Sequence, residues 1–119
     1  MSWLQRMLGG GQGIGPQEAH DLVRAGALLL DVREASEWRA GHAPGARHVP
    51  LEELERRLGG LPRDRRLVVV CQSGNRSARA TALLTRFGFE AVSLNGGMRA
   101  WAAAGLAVET GNPPPATVM

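Results

Sequence analysis

The chain has 119 residues, of which 44% are hydrophobic and 21% are charged. This length corresponds to one domain with its own core, and the composition excludes a disordered chain, a collagen-like fibre and a membrane protein. All 14 basic residues are arginine and are interleaved with acidic residues, so nucleic acid is not a predicted partner. The absence of lysine excludes Schiff-base chemistry and a Walker-type phosphate loop.

Three segments are distinguished along the chain. Residues 1–13 end in a run of glycines and are predicted to be a flexible lead-in. Residues 110–119 are rich in proline and are predicted to form an extended tail. The folded domain is therefore predicted to span residues 14–109.

Helical and extended patterns alternate within this domain, and glycine follows several of the helical ones. In chain order we predict a helix at 16–25, a strand at 27–32, a helix at 34–40, a turn at 42–45, a strand at 46–49, a helix at 51–58, a strand at 66–70, a helix at 77–87, a strand at 90–94, a helix at 98–104 and an extended piece at 106–109. Strands separated by helices pair in parallel, so the predicted class is α/β, with a central mostly parallel sheet covered by helices on both faces.

The segment after the strand at 66–70 carries the chemistry that we predict. Ligands of parallel sheets bind beyond the carboxyl ends of strands, and Cys71 stands at such an end. Gly74 permits a curled loop whose N–H groups converge, and a helix beginning near Ser77 adds its own free N–H groups. These groups and the charge of Arg76 are expected to lower the pKa of Cys71, which would then act as a nucleophile toward an atom carried by a small oxyanion.

Cys71 is the one cysteine, so an internal disulfide and a cysteine-rich zinc site are excluded. The three histidines show no metal-ligand spacing, and no cofactor is predicted. A lone thiol is typical of a reducing compartment, and residues 1–8 are too short and too polar for a signal peptide. We therefore expect a soluble cytoplasmic protein that does not contact a membrane.

Three motifs in this order resemble the single-domain rhodanese-like family. They are Leu30-Asp31-Val32-Arg33-Glu34 with Glu37-Trp38 and Gly41-His42-Ala43-Pro44-Gly45-Ala46, then Cys71-Gln72-Ser73-Gly74-Asn75-Arg76-Ser77, and last Asn95-Gly96-Gly97-Met98 with Trp101 and Ala104-Gly105. The resemblance covers nearly the whole folded domain. Trp38 stands where the family more often has Tyr or Phe, and it is expected to fill the same core position.

The resemblance implies the rhodanese-like α/β fold and sulfurtransferase activity. In this interpretation Cys71 takes the sulfane sulfur of thiosulfate as a persulfide and passes it to cyanide or to a thiol. A protein sulfur donor or acceptor is a further partner that the resemblance allows. Arg76 would pair with the anionic donor, and the expected substrate-binding residues are Gln72, Ser73, Gly74, Asn75, Arg76 and Ser77.

Two alternative functions stay open at this point. A rhodanese-like domain could serve as a persulfide carrier or sensor without turning over thiosulfate, because the same cysteine serves both roles. A small cysteine-dependent phosphatase or arsenate reductase is disfavoured by loop length. Those enzymes place five residues between the cysteine and the arginine, whereas four separate Cys71 from Arg76.

Other polar residues of the motifs are interpreted as structural. Asp31, Arg33, Glu37 and His42 are expected to form an internal network that fixes the first loop, although Asp31 could also face the site. The Gly96-Gly97 pair is expected to form a turn into a helix. Met98 and Trp101 are expected to pack in the core.

Overall fold

A computed structural model describes residues 13–111 of the chain. The predicted lead-in and tail therefore lie outside the described residues, apart from Gly13, Thr110 and Gly111. The elements are α1 (Pro16–Arg24), β1 (Leu28–Asp31), α2 (Ala35–Ala40), β2 (Arg47–His48), two 3-10 segments (Leu51–Glu53 and Glu55–Gly60), β3 (Leu67–Val70), α3 (Asn75–Arg86), β4 (Ala91–Ser93) and α4 (Gly97–Ala103). No helix in this part of the chain is both long and apolar enough to cross a bilayer.

The four strands form one parallel sheet in the order β2-β1-β3-β4. β1 and β3 lie in its middle and are buried along their whole length, which is the environment that their continuous apolar runs predict. Their register pairs Asp31 with Val70, so the chain leaves both strands at the same edge of the sheet. Ile14 adds an isolated parallel bridge to Leu94.

Helices cover both faces of the sheet, and the predicted fold class is confirmed. One core cluster joins alternate residues of β1 and β3 to Ala80 and Leu84 of α3. It also includes Leu54 and Leu61, the leucines that follow the two 3-10 segments. The other joins the intervening strand residues to α1 and α4. Met98 and Trp101 belong to this second cluster, as predicted.

The prediction of an α-helix at 51–58 is wrong, because the structure has two 3-10 segments there. The backbone hydrogen bonds run three residues back, from Leu54 to Leu51 and from Leu61 to Leu58. Leu54 and Leu61, each three residues beyond another leucine, are the buried ones. A tighter helix of three residues per turn brings these leucines onto the sheet, and Gly59 and Gly60 disfavour a longer α-helix.

Two helix starts differ from the prediction in ways that bear on the loops. α3 begins at Asn75 rather than near Ser77, so Arg76 lies in its first turn. α2 begins after Glu34, whose side chain and that of Glu37 form a reciprocal capping box. The predicted extended piece at 106–109 ends in an antiparallel bridge between Glu109 and His42.

Candidate active site

Cys71 directly follows β3 and lies beneath a short loop that leads into α3. The residue is buried, with 1% of its surface exposed. The loop turns at Gly74, whose φ of +115° and ψ of −16° belong to the left-handed region that glycine adopts without strain. This conformation reverses the chain above the sulfur, as the sequence predicts.

Neutral hydrogen-bond donors surround the Cys71 sulfur. The backbone N–H of Gly74 donates to Sγ at 3.0 Å, and the Ser77 hydroxyl lies 3.5 Å from it. Burial raises the pKa of this thiol, but hydrogen bonds from the Ser77 hydroxyl and from the N–H groups of Ser77, Gly74 and Ser73 outweigh that effect. The net result is a pKa below the ordinary value, which favours the thiolate.

Ser93 stands behind this arrangement, and sequence reasoning missed it. Its hydroxyl lies 2.7 Å from that of Ser77, which donates to the Gly74 carbonyl at 3.0 Å. A hydroxyl carries one proton, so the partners of Ser77 determine whether that proton is available to the sulfur. The available signal was a serine within an otherwise apolar strand, since Ser93 is buried on β4.

The start of α4 supports the loop from the other side. The N–H of Met98 donates to the Cys71 carbonyl at 2.7 Å, and the N–H of Arg99 donates to the Gln72 carbonyl at 3.2 Å. The backbone at the start of α4 approaches the backbone of Cys71 most closely at Gly97, where any Cβ would overlap the Cys71 carbonyl oxygen. The φ of Gly97 is +58°, so the Gly96-Gly97 pair makes the predicted turn and also admits the cysteine backbone.

Of the four residues predicted to form one internal network, Asp31 and Arg33 pair with each other, and Arg33 also reaches the cysteine loop. Arg33 contacts the fully buried carboxylate of Asp31 through Nη2 at 2.8 Å and through Nε at 3.0 Å. The same guanidinium donates to the Gly41 carbonyl and, through Nη1, to Gln72 Oε1 at 3.2 Å. The carboxylate of Asp31 is thus held by Arg33, and Gln72 is positioned through its side chain.

Two histidines, His42 and His48 of β2, stack on Trp38, which is half-buried rather than deep in the core. The rings of Trp38 and His42 are 3.6 Å apart and parallel, and His48 lies 4.9 Å from Trp38. His42 Nδ1 contacts the Trp38 carbonyl at 2.7 Å, while Nε2 lies 3.4 Å from Glu109. The imidazole of His42 is therefore part of the structure around the loop, in agreement with its structural interpretation.

Arg76, the cation of the loop, pairs with Glu37 of α2. Nη1 and Nη2 of the arginine donate to the two carboxylate oxygens of Glu37, each at 2.7 Å. The hydrogen bond from Arg76 lowers the pKa of Glu37 from 4.5 to about 2, against an opposing effect of burial. The prediction that Arg76 pairs with a donor anion stays a prediction, since a protein carboxylate occupies its fork here.

The structure brings the other predicted site residues together on one turn. The side chains of Ser73 and Asn75 are exposed, and Ser73 acts on the sulfur through its backbone N–H. Ser77 is fully buried beside Cys71. Among residues 13–111, no group of three or more histidine, cysteine or acidic side chains is arranged to hold a metal ion.

Comparison with known proteins places these features in a family. The family model of the rhodanese-like domain matches residues 15–104 of the chain. The chain is 36% identical over 89 residues to the thiosulfate sulfurtransferase GlpE of Stutzerimonas stutzeri, covering 74% of this chain and 82% of that protein. It is 40% identical over 97 residues to MoeZ of Mycobacterium tuberculosis, which is named a probable adenylyltransferase/sulfurtransferase. This alignment covers 77% of this chain but 25% of MoeZ.

Solved structures support the same grouping. The rhodanese-related protein of Thermoplasma volcanium superposes with a TM-score of 0.78 at 32% sequence identity. The superposition covers 82% of this chain and 97% of that one. The similarity therefore extends over nearly the whole folded domain and includes the cysteine loop.

Proposed function

The chain belongs to the rhodanese-like domain family, and on that premise we propose that it is a thiosulfate sulfurtransferase acting through a persulfide on Cys71. The observation that carries the proposal is the environment of the Cys71 sulfur. A buried sulfur that accepts from the Gly74 N–H at 3.0 Å and lies beside the Ser77 hydroxyl has a lowered pKa. It is therefore a nucleophile that needs no histidine base.

The reaction proceeds in two displacements. The Cys71 thiolate attacks the outer sulfur of thiosulfate, a sulfur–sulfur bond to Cys71 forms, and the bond to the sulfonate sulfur breaks. Its electron pair leaves with sulfite. Cyanide or a thiolate then attacks the outer sulfur of the persulfide and carries it away, and the electron pair returns to Cys71 as thiolate.

The residues of the loop have distinct roles in this proposal. The N–H groups from Ser73 to Ser77 hold first the donor and then the outer persulfide sulfur, as preorganised dipoles around a negative charge. Gln72 and Asn75 complete the loop, and Gln72 is held by Arg33. Arg76 binds the sulfonate of the donor once it is released from Glu37.

The test is intact mass spectrometry after incubation with thiosulfate. The wild-type protein is expected to gain the mass of one sulfur atom, to lose it on addition of cyanide, and to release thiocyanate with ping-pong kinetics. Cys71→Ser keeps a small polar side chain in the same space and is expected to lose more than about 1,000-fold of the activity. A serine variant that retains full turnover would end the proposal.

A second candidate function is a persulfide carrier or sensor. It is favoured by the match to MoeZ, in which the similar segment is one quarter of a larger protein. A protein donor or acceptor would then replace the small molecules. Loading of Cys71 by a cysteine desulfurase, together with negligible turnover of thiosulfate, would favour this candidate over the first.

The phosphatase alternative is disfavoured by both the loop and its cation. Four residues separate Cys71 from Arg76, and both terminal nitrogens of Arg76 contact Glu37. Hydrolysis of an aryl phosphate that disappears in Cys71→Ser would reverse this preference. The lone reactive thiol also leads us to propose a reducing, cytoplasmic location.

A further inference from the structure

The pair formed by Arg76 and Glu37 is the starting point. Two parallel hydrogen bonds of 2.7 Å use both terminal nitrogens of the guanidinium and both oxygens of the carboxylate. This fork-to-fork geometry is the one in which arginine binds anions most selectively. Each side chain is about one-third exposed, at 32% for Arg76 and 30% for Glu37, so a solute can reach the pair.

The two residues of the pair line two different surface depressions. Arg76 lines one of about 590 Å³, and Glu37 lines the other, of about 390 Å³, together with Gln72. Arg76 is two residues beyond Gly74, whose N–H contacts the sulfur. The Glu37 carboxylate raises the pKa of Arg76, and the charge of Cys71 adds to that effect, so both anions act on one guanidinium.

We propose that Glu37 is an internal competitor at the anion site, a carboxylate that occupies the fork of Arg76 until an anionic sulfur donor replaces it and so lowers the affinity of the site for oxyanions. The inference rests on the proposed function. The carboxylate offers Arg76 the same pair of oxygens that a sulfonate would offer. Sulfate and thiosulfate must both displace Glu37 before they reach the guanidinium. Glu37 therefore lowers the affinity of the site for both anions by a similar factor.

Glu37 remains a competitor at every pH at which the protein works. Its pKa of about 2, set mainly by the hydrogen bond from Arg76, keeps the carboxylate charged. Arg76 is the cation that the chain places within the loop between Cys71 and Ser77. Releasing this one side chain from Glu37 therefore changes the charge that an incoming anion meets.

Glu37→Gln tests the inference. A glutamine oxygen still accepts from the Glu34 N–H, a bond of 3.0 Å in the wild type, so the start of α2 is preserved while the charge is lost. We expect the KM for thiosulfate to fall about fivefold, with kcat for transfer to cyanide changed less than about twofold. Sulfate should inhibit the variant at a concentration about fivefold lower than the wild type.

Two further variants identify the cause. Glu37→Gln combined with Arg76→Gln is expected to lose the gain in affinity, because the released guanidinium is gone. Glu55→Gln removes the same charge from an exposed position of the second 3-10 segment and is expected to leave KM and sulfate inhibition unchanged. A folded Glu37→Gln protein whose KM is unchanged or higher would overturn the inference.

A binding readout separates this inference from the proposed function. Sulfate is expected to slow alkylation of Cys71 by iodoacetamide at about fivefold lower concentration in Glu37→Gln than in the wild type, and this assay needs no turnover. Such protection without thiosulfate turnover would sink the proposed function and support Glu37 as the occupant of the anion site. Turnover without a gain in protection would sink the inference about Glu37.

Discussion

Asp31 and Cys71 stand at the ends of neighbouring strands, at the same edge of the sheet, and each accepts hydrogen bonds from groups beside it. Asp31 ends β1 with none of its surface exposed, and Arg33 contacts both of its oxygens. Cys71 follows β3 with 1% exposed, and the contacts to its sulfur are a backbone N–H and a hydroxyl. The carboxylate of Asp31 is therefore paired with a cation, whereas the sulfur of Cys71 contacts neutral hydrogen-bonding groups.

The difference explains why one side chain is structural and the other reactive. A bidentate guanidinium satisfies the lone pairs of a carboxylate and fixes it in place. Amide and hydroxyl dipoles lower the pKa of a thiol but leave the negative charge on an atom that can attack. The cation of the cysteine loop, Arg76, is itself engaged by Glu37 rather than by the sulfur.

The largest effect on the free energy of unfolding is expected at the buried pair of Asp31 and Arg33. Arg33→Gln leaves the buried Asp31 without its cation, and breaking a buried pair on one side costs about 3–5 kcal/mol. We expect a loss of unfolding free energy of about 3 kcal/mol in urea, with weaker sulfur transfer because Gln72 loses its donor. Arg24→Gln, at the exposed end of α1, serves as the control and should stay within about 0.5 kcal/mol of the wild type. Similar stability in both variants would show that the cation at Asp31 is dispensable.

A smaller effect is expected where α4 supports the cysteine loop. Gly97→Ala introduces a Cβ into the Cys71 carbonyl and forces alanine to a φ of +58°, so the loop must shift. We expect a cost of about 2 kcal/mol and loss of most sulfur transfer, measured by urea unfolding and thiocyanate release. Gly105→Ala has a similar φ of +79° but open space around it, and should cost about 1 kcal/mol with activity retained. Equal losses in the two variants would mean that the close approach at Gly97 contributes nothing.

The smallest effect is expected on the pKa of Cys71. Ser77→Ala removes the side-chain hydroxyl beside the sulfur, whose hydrogen bond lowers the pKa of Cys71, so we expect that pKa to rise. The pH dependence of alkylation by iodoacetamide measures it. Ser73→Ala is the control in the same loop, since that side chain is exposed and only its N–H contributes. An unchanged pKa in Ser77→Ala would assign the whole effect to backbone amides.

Ser77→Ala should also change the way in which the free energy of unfolding depends on pH. A thiol whose folded pKa lies below its unfolded value stabilises the fold fully above the unfolded value, and this contribution disappears as pH falls through the folded pKa. The unfolding free energy of the wild type should therefore exceed that of Ser77→Ala by more at pH 9 than at pH 6. A difference that is constant with pH would mean that Ser77 acts by packing alone.

Local sequence signals were sufficient for most of the architecture. Apolar runs predicted β1 and β3, glycines marked the ends of helices, and the parallel α/β class followed from their alternation. The cysteine loop was predicted for the same reason, because Gly74 and the helix that begins at Asn75 are neighbours of Cys71 in the chain. The segment at 51–58 was wrong because leucine spacing is similar in 3-10 and α-helices, and packing on the sheet decided between them.

The tertiary structure alone decided the partners of the site. Glu37 lies 39 residues before Arg76, and Ser93 lies 16 residues after Ser77, so no local pattern pairs them. The sequence predicts a turn at Gly97, but its close approach to the Cys71 carbonyl depends on how α4 packs at the end of β3. The nucleophile and its loop are contiguous in the chain and follow from backbone chemistry. The groups that hold the loop and its cation come from separate strands and helices, and only the packing of these elements on the sheet brings them within hydrogen-bond distance.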